Sequence, residues 1–471
     1  MKEKLESLPV SALKEIAKSK GLKNISTLKK AELIKVLLDL FENEEKNSDE
    51  QKKEAVSRSS NIETVNSSQD SNTQNNSNTQ NSGNVQNNNG NTQNSLDSGE
   101  VANGILEVMP EGYGFIRCDN YLPGEGDVYV SPMQIRRFTL RTGDIIVGNK
   151  KIKSPTEKFS ALLYVKTING MPLDKMQNTI AFEDMVPIFP DERLRLETEK
   201  EDRAMRILDL VSPIGKGQRG MIVSQPKAGK TTLLKSIAKS ILKNNPEMHM
   251  IILLIDERPE EVTDIKESIV GNNVEVIYST FDELPEHHKR VSEMVLERCK
   301  RLVEMRKDVI VLLDSITRLT RAYNLTVPPS GRTLSGGLDP AALHMPKKFF
   351  GAARNMRNGG SLTVLATALV DTGSKMDDVV YEEFKGTGNM ELVLDRKLSE
   401  KRIFPAIDIV KSGTRREDLL LNRAELEAME IVRRNLNSSR QDESVEKVIE
   451  LFVRTKNNKE FIDGIRKRRS L

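Results

Sequence analysis

The segment that most restricts the fold is SQPKAGKT at positions 224–231, which follows the apolar run Gly220–Val223 and precedes an amphipathic helical pattern. A strand, a tight loop and a helix in this order form a phosphate-binding loop, in which backbone N–H groups at the helix N-terminus surround phosphate oxygens. Lys230 would neutralise those oxygens and Thr231 would bind Mg²⁺. The usual motif has glycine where Ser224 stands, but the rest is intact and predicts a nucleotide-binding domain.

Apolar runs of strand length alternate with helical patterns around this loop. The predicted strands are Gly220–Val223, Met250–Ile255, Val274–Ser279, Val309–Leu313 and Leu362–Ala366, and two predicted helices are Lys230–Leu242 and His287–Arg306. Strands joined by helices form a parallel sheet covered by helices, so the sequence predicts an α/β domain over 204–471. From about residue 417 we expect a charged helical tail, interrupted by a polar stretch around 436–443.

Two of the predicted strands end in acidic residues. Val309–Leu313 is followed by Asp314, and Met250–Ile255 is followed by Asp256 and Glu257. A carboxylate at position 314 would orient Mg²⁺, and Glu257 is our candidate for the base that polarises the attacking water. A strand-end acid considered alone is more often a loop or cap residue. The functional interpretation depends on both acids following one phosphate loop.

Arg402, Phe404 and Arg415 lie in the late segment EKRIFPAIDIVKSGTRRED. An isolated arginine is usually a surface residue, whereas in ring-shaped ATPases such an arginine reaches the γ-phosphate held by the neighbouring subunit. Phe404 is a candidate for stacking on adenine, and ordinary core packing is the alternative that the sequence leaves open.

Upstream, over 100–170, short β-rich runs are separated by Gly or Pro turns. They are Ile105–Val108, Tyr113–Arg117, Asp127–Val130, Asp144–Gly148 and Ala161–Ile168. Five short strands over about 70 residues are typical of a small OB-type barrel. Residues 171–203 would connect this barrel to the α/β domain.

The run EGYGFIR places Tyr113, Phe115 and Arg117 at alternate positions of a predicted strand, so they share one face. Exposed rings beside a cation form a stacking surface for unpaired bases, which predicts binding of single-stranded nucleic acid. Further candidates for this surface are Tyr129, Phe138, Phe159, Arg136, Arg137 and Lys158. The alternative, in which the rings form the barrel core, is disfavoured for Tyr113 and Phe115 and stays open for the other rings.

The first 99 residues divide into two parts of different composition. Residues 1–42 have apolar residues at helical spacing and predict a small helical module, which either packs or binds nucleic acid. Residues 43–99 are rich in Asn, Gln and Ser, and they cannot bury enough apolar surface to offset the entropy of ordering. We therefore predict a disordered segment. Because such tracts form cross-β assemblies, amyloid formation is one hypothesis and an inert tether is the other.

Cysteine usage, the lengths of the apolar runs and the net charge indicate in which cellular compartment we expect the protein. Cys118 and Cys299 are far apart and form no CxxC pattern, which favours a reducing environment without structural disulfides or zinc. We found neither a signal peptide nor an apolar run of the roughly 20 residues that a membrane span needs, so we expect a cytoplasmic protein with no membrane partner. The net charge of +3 does not exclude a basic groove on one face.

Several segments together resemble the Rho family of bacterial transcription termination factors. They are PKAGKTTLL, LLIDERPEEVTDI, STFDE, LLDSITRLTRAYN, PKKFFGAARN, ATALVDTGSKMDDVVYEEFKGTGNMEL and EKRIFPAID, with EGYGFIR and YVSPMQIRRFTLRTGD in the barrel. The similarity covers nearly the whole chain except the Asn/Gln-rich segment. It implies a RecA-like ATPase domain preceded by a five-stranded OB or cold-shock-type barrel and a small N-terminal helical module. It also implies a homohexamer with ATP and Mg²⁺ between subunits.

The resemblance assigns roles at the nucleotide site. Glu257 would be the base, Arg258 and Phe404 would contact ATP, and Arg402 and Arg415 would come from the adjacent subunit. The phosphate-loop contacts would be Lys227, Ala228, Gly229, Lys230, Thr231 and Thr232, and the Mg²⁺ ligands would be Thr231 and Asp314.

The resemblance also assigns RNA contacts. The barrel site of this family prefers pyrimidines, especially cytosine, and would here include Asp127 and Glu157; Tyr113 stands where many members have phenylalanine. The segments Val327–Pro340 and Thr372–Asp378 would line the central pore. Within them Arg332, Thr333 and Lys375 would touch RNA.

The implied function is an ATP-dependent RNA translocase or helicase that releases the nascent transcript from RNA polymerase. One alternative is a RecA-like or rotary ATPase that acts on DNA or drives a rotor, against which the barrel aromatics and Lys375 argue. Another is an RNA-binding protein in which ATP only switches the conformation.

Overall fold

The structure, a computed structural model, describes residues 96–175, 179–199, 202–438 and 441–468. The chain divides into two units, residues 1–85 and 86–471, and every described residue belongs to the second. The helical module predicted for 1–42 and almost all of the Asn/Gln/Ser-rich segment, with its amyloid hypothesis, lie outside the described residues.

The part that follows residue 96 is a five-stranded barrel, as predicted. Its strands are β1 (Asp97–Val108), β2 (Gly114–Arg117), β3 (Val128–Val130), β4 (Ile145–Lys151) and β5 (Ser160–Ile168). Neighbouring strands pair antiparallel in the order β3-β2-β1-β4-β5, and a parallel pairing of β3 with β5 closes the sheet. Inward-facing residues such as Leu106, Ile116 and Ile146 are fully buried in the core.

Two features of the barrel differ from the sequence expectation. Strand β1 begins at Asp97, eight residues before the predicted strand Ile105–Val108, because pairing with β4 extends it into a polar segment in which little apolar surface is buried. The Asp97 carboxylate accepts hydrogen bonds from Asn149 at 2.8 and 3.0 Å. A short helix, α1 (Pro132–Arg137), was not predicted, although Ser131 and Gln134 form a capping box at its start.

The remaining chain is built on a mainly parallel sheet of nine strands within the described residues. The main path runs β12-β11-β13-β15-β10-β16-β17, and β14 and β7 extend it beside β15. These strands are β7 (Pro187–Ile188), β10 (Arg219–Ser224), β11 (His249–Glu257), β12 (Val274–Thr280), β13 (Asp308–Asp314), β14 (Arg354–Met356), β15 (Ser361–Leu369), β16 (Met390–Val393) and β17 (Gly413–Thr414). Shorter strands are β6 (Met171–Pro172), β8 (Arg193–Leu194) and β9 (Ile214–Gly215). All five strands predicted for this part are present.

Helices cover both faces of this sheet and enclose two apolar cores. They are α2 (Arg203–Val211), α3 (Lys230–Asn244), α4 (Pro259–Ser268), α5 (Pro285–Glu304), α6 (Ile316–Thr326), α7 (His344–Gly351), α8 (Lys375–Lys385), α9 (Arg396–Glu400), α10 (Arg423–Ser438), α11 (Gln441–Arg454) and α12 (Asn458–Arg468). The polar stretch expected around 436–443 is helical where it is described, in α10 and α11. Helix α5 begins two residues before the prediction with Pro285 in its first turn, and it ends before Arg306, whose φ is +60°.

Helix α5 packs between the sheet and the barrel. Residues such as Val291 and Val295 are buried against the sheet. On the barrel side, Gly143 has a φ of +95°, and a Cβ there would lie 2.5 Å from the carbonyl carbon of Glu297, so this close approach requires glycine. Arg298 donates to the Asn169 side chain of the barrel at 2.9 Å. The helix therefore fixes the barrel against the parallel sheet.

A second barrel contact is made at the edge of the sheet, where β12 is the outermost strand among the residues that the structure describes. Asn120 donates to the Tyr278 carbonyl at 2.6 Å and accepts from the Tyr278 N–H at 3.0 Å, so its amide pairs with the edge as a strand would. Nearby, Tyr121 donates to Glu275, which also bonds to His249. Although burial raises the pKa of Glu275, the hydrogen bond with His249 and the charge of Arg298 lower it to about 2.

Candidate nucleotide site and nucleic-acid surface

The phosphate loop occupies the turn between β10 and α3, as the sequence predicts. Lys227 and Gly229 have φ values of +67° and +93°, which turn the backbone tightly into the helix. Gly229 caps α3 without a side-chain hydrogen bond, so the N–H groups of the first turn are available to a ligand. Ser224 is the last residue of β10, paired with Leu369 in extended backbone that does not require glycine. This explains why the motif tolerates serine there.

Lys230 joins the two acidic strand ends that the sequence singled out. Its Nζ lies 2.5 Å from Asp314 Oδ1 at the end of β13 and 3.1 Å from Glu257 Oε1 at the end of β11. Thr367 of the intervening strand β15 donates to the same Asp314 oxygen at 2.8 Å. All four side chains meet at the carboxyl edge of the sheet beside the loop. Sequence reasoning missed Thr367, whose only signal is a hydroxyl within the apolar run LTVLATAL.

Burial and mutual charge set the protonation of this group. Burial raises the pKa of Glu257, and the neighbouring Asp314 charge raises it further. Burial lowers the pKa of Lys230, but the charges of Asp314 and Glu257 more than offset this, so its pKa lies above the ordinary value. Lys230 therefore stays charged, while Glu257 holds a proton more readily than a free carboxylate does, as a general base requires.

The residues proposed to bind Mg²⁺ are hard oxygen donors beside the loop. Asp314 is almost fully buried, and the Thr231 hydroxyl lies 3.4 Å from Glu261. No group of three or more His, Cys, Asp or Glu that could hold a metal ion occurs among the described residues. One carboxylate and one hydroxyl fit Mg²⁺ that is held together with phosphate oxygens, which is how this ion is usually bound.

The late segment borders the phosphate loop. The Ser399 hydroxyl donates to the Lys227 carbonyl at 3.4 Å, close in sequence to Arg402 and Phe404. Phe404 is 51% exposed, so it is available for stacking instead of filling the core. Arg402 is exposed as well.

Arg415 lies in a different place, an open cleft of about 610 Å³ that also contains Lys411, Arg416 and Arg433. Arg415 is exposed and lies outside the Lys230 group.

Other nucleotide candidates are distributed around the loop. Lys227 and Thr232 are exposed and Ala228 is buried within the loop. Arg258 is exposed at the start of α4, in a cleft that includes Asp256, Arg318 and Arg321. Arg318 pairs with Asp256 at 3.3 Å, a contact that the sequence did not predict.

The barrel carries a cluster of aromatic rings on one face. The ring centroid of Phe115 lies 5.8 Å from that of Tyr113, 6.0 Å from that of Tyr129 and 5.1 Å from that of Phe159. The four rings are neither fully buried nor fully exposed, and Lys158 lies 5.2 Å from the Phe159 ring. The structure thus places these predicted residues together outside the barrel core.

Some barrel candidates need correction. We expected Arg117 to be an exposed cation, but it is only 6% exposed because it pairs with Glu107 at 2.6 Å and with Asp127 at 2.5 Å. Asp127 is likewise buried. Phe138 packs against the barrel core, which resolves the alternative that the sequence left open for this ring.

Other charged candidates lie at the edge of the barrel. Arg136 and Arg137 end α1 and are exposed, and Arg137 lies over the Phe138 ring. Glu157 accepts from the Ser154 N–H at 2.9 Å in the loop before β5. These three side chains border the barrel without belonging to the ring cluster.

The two segments predicted to line a pore contact each other. Gly336 has a φ of +78°, and a Cβ there would lie 2.4 Å from the Met376 nitrogen. Lys375 is exposed at the start of α8, so this residue of the predicted loop 372–378 is helical. Arg332 and Thr333 are exposed in the other segment. The backbones of the two segments are therefore closely packed at this point.

The fold and this site define a phosphate-loop ATPase that carries an OB-type nucleic-acid-binding barrel. Three family descriptions match the chain: the Rho termination factor N-terminal domain over residues 4–44, the Rho termination factor RNA-binding domain over 102–174, and the ATP synthase alpha/beta family nucleotide-binding domain over 204–414. No helix in the described ranges is long and apolar enough to cross a membrane.

Curated relatives agree with these matches. The chain is 55% identical over 370 residues to transcription termination factor Rho of Pseudomonas aeruginosa, covering 78% of this chain and 88% of that protein. It is 56% identical over 361 residues to the Bacillus subtilis Rho, covering 76% and 83%. The chain therefore belongs to the Rho family of transcription termination factors.

A solved structure shows the same fold. The chain resembles a prototypical ATPase from the type III secretion system of pathogenic bacteria with a TM-score of 0.51 and 20% identity, over 67% of this chain and 93% of that one. This similarity concerns the fold alone.

Proposed function

We propose that this chain is an ATP-driven RNA translocase that terminates transcription, working as a ring of six copies. In this proposal the barrel captures single-stranded RNA, the segments around Arg332 and Lys375 grip RNA in the pore, and hydrolysis moves those segments. RNA polymerase would release the transcript when the RNA is pulled away from it. Membership of the Rho family supports the proposal, as does the combination of an ATPase fold with an aromatic barrel face.

The observation that carries the proposal is the contact of Lys230 with both Glu257 and Asp314 beside the phosphate loop. When ATP binds, Lys230 would turn from the carboxylates to the phosphate oxygens. Glu257 would then be free to accept the proton of the attacking water, and its raised pKa suits that role. Bound Mg²⁺, held by Asp314 and Thr231, would help to neutralise the phosphate charge.

In the ring, cations from a neighbouring copy would act together with Lys230 to stabilise the charge of the transition state. Arg402 and Arg415 are exposed candidates on a neighbouring copy. Phe404, exposed beside the loop, would stack on adenine, and Arg258 would contact the nucleotide from the neighbouring cleft.

The domain assignment is part of the same proposal. Residues 1–42 would form the helical module, 43–99 the disordered insert, 100–170 the RNA-binding barrel, 171–203 the connector and 204–471 the ATPase domain. We propose a cytoplasmic location for the assembled protein, where nascent RNA is available.

Two measurements test the proposal. Mass photometry with ATP and RNA should show particles of six chains. A stalled elongation complex on immobilised DNA should release its transcript when the protein and ATP are added, and a Glu257→Gln variant should not release it. Particles that stay monomeric would contradict the ring, and release without ATP or by the Glu257→Gln variant would contradict the motor.

A further inference from the structure

Glu107, on strand β1 of the barrel, lies between a barrel arginine and an arginine of the ATPase domain. Its Oε2 accepts from Arg117 Nε at 2.7 Å, and both of its oxygens accept from Arg290 Nη2 of helix α5 at 2.8 Å. The Glu107 side chain is 16% exposed and the Arg290 side chain 35%. A partly buried carboxylate thus bridges the two domains.

Arg117 connects this bridge to the ring cluster. Arg117 Nη1 donates to Asp127 Oδ2 at 2.5 Å, and the Arg117 guanidinium carbon lies 4.9 Å from the centroid of the Phe115 ring. A continuous set of contacts therefore runs from the stacking ring through Arg117 and Glu107 to Arg290.

The charges in this set balance only when Arg290 is included. Glu107 and Asp127 supply two negative charges, and Arg117 supplies one positive charge. Arg290 supplies the second positive charge. Without Arg290, the partly buried Glu107 carboxylate would share Arg117 with Asp127 and would have no second cation of its own. Glu107 would also lose the partner that holds it, and with it the orientation of Arg117.

Helix α5 fixes the position of Arg290 relative to the barrel. About two turns further along the same helix, Gly143 of the barrel approaches Glu297, and Arg298 donates to Asn169. Positions 290, 297 and 298 are seven and eight residues apart and share a helix face. The Arg290 guanidinium is therefore held against the barrel by the same packing that joins the domains.

We propose that Arg290 of the ATPase domain is a positioning residue for the RNA site of the barrel, acting through Glu107 and Arg117. The inference rests on the proposed function, in which the aromatic face binds RNA. It adds that the RNA site is complete only with a side chain from the ATPase helix.

The test uses the full-length protein without nucleotide and a short fluorescein-labelled oligocytidine RNA, with affinity measured by anisotropy. Arg290→Gln should raise the Kd about three- to tenfold, the scale expected for one coupled charged contact. Arg290→Lys should keep most of the affinity, because a single nitrogen of Arg290 makes both contacts. The matched control is Arg141→Gln, which breaks a different barrel–ATPase ion pair, with Glu304, away from the rings. It should leave the Kd unchanged.

The salt dependence separates positioning from direct phosphate contact. If Arg290 acts through Glu107, Arg290→Gln weakens binding without changing the slope of log Kd against log salt concentration. A slope smaller by about one would assign Arg290 to a phosphate and overturn the proposal. An unchanged Kd, or an equal loss in Arg141→Gln, would also overturn it. Phe115→Ala is measured alongside to distinguish failure of the Arg290 inference from failure of the proposed function. If Phe115→Ala also leaves the Kd unchanged, the aromatic face is not the RNA site.

Discussion

The nucleotide site and the aromatic face of the barrel are built on opposite principles. At the nucleotide site the side chains of Lys230, Glu257 and Asp314 are 14%, 5% and 2% exposed and already paired with one another. On the barrel, Phe115 and its neighbouring rings are partly exposed and contact one another edge to face, with centroids 5.1 to 5.8 Å apart. The first is arranged by charge before any ligand binds, and the second offers open apolar faces.

This difference matters because charge and stacking respond differently to change. In a water-poor site, removing one member of a charged set leaves the others unpaired, which is costly. On a stacking surface, each ring contributes a similar amount and the rest remain. We therefore expect abrupt effects at the nucleotide site and graded effects on the barrel.

The largest effect is expected from Lys230→Ala. Removing the charge that faces the phosphates should reduce ATP turnover by about 10³-fold or more. RNA binding by the barrel should stay within about twofold, because the rings lie in the other domain. Steady-state phosphate release and RNA anisotropy measure the two. Lys235→Ala is the control and should keep its activity, because Lys235 lies on the same helix but is partly exposed and pairs with Asp264 instead of the strand-end carboxylates. If Lys230→Ala hydrolyses ATP as fast as the wild type, the assignment of the nucleotide site around Lys230 is wrong.

Glu257→Gln should come next. The amide keeps the shape and the contact with Lys230 but cannot accept a proton, so turnover should fall about 10²- to 10³-fold. ATP affinity should change little. Because burial and Asp314 raise the pKa of Glu257, the wild-type rate should decline as the pH falls through that raised pKa, when the base becomes protonated. A pH–rate profile together with the exposed control Glu260→Gln tests this. A variant as fast as the wild type would exclude Glu257 as the base.

On the barrel, Phe115→Ala should weaken RNA binding by about 1–3 kcal/mol, the scale of one stacked base. Tyr164→Ala is a matched control, since Tyr164 is an exposed barrel ring, 41% accessible, that bonds to Asp97 instead of joining the cluster. An equal loss in both variants at matched salt would contradict the assignment of the stacking surface.

The smallest effect concerns the junction between the two regions. The pKa of Glu275 is lowered to about 2, so its ionised form stabilises the fold above the pKa of the unfolded carboxyl, near 4.5, and this stabilisation is lost as the pH falls towards 2. Glu275→Gln should therefore lower the melting temperature by a few degrees at pH 7, and by less at pH 3. Differential scanning fluorimetry measures this. A difference that is the same at both pH values would show that ionisation of Glu275 is not what stabilises the junction.

Much of both regions could be predicted from sequence because their signals are local. The phosphate loop lies in one strand–loop–helix segment, and Tyr113 and Phe115 follow the two-residue repeat of a strand. The carboxyl ends of parallel strands lie at one edge of the sheet. Glu257 and Asp314, which end two such strands, were therefore expected near the phosphate loop. Each inference needed only the neighbouring residues and a general rule of sheet geometry.

The remainder depends on contacts between distant parts of the chain. Arg117 appeared to be an exposed cation until Glu107 and Asp127, each ten residues away, proved to surround it. Thr367 is recognisable only when β15 is known to lie between β10 and β13. The Arg290–Glu107 pair spans 183 residues and has no sequence pattern at all. Hydrogen-bond and ion-pair partners that only tertiary packing brings together have no regular spacing in the sequence, so no periodic pattern predicts them.

In the proposed motor, ATP should be cleaved at the Lys230 site only when RNA is bound, because RNA gripped in the pore completes the working ring. The most direct measurement is the rate of phosphate release with saturating ATP in the presence of poly(C), of poly(dC) and of no polymer. The account predicts a rate that rises many-fold with poly(C), much less with poly(dC), and is near zero without polymer. Equal rates under all three conditions would contradict it.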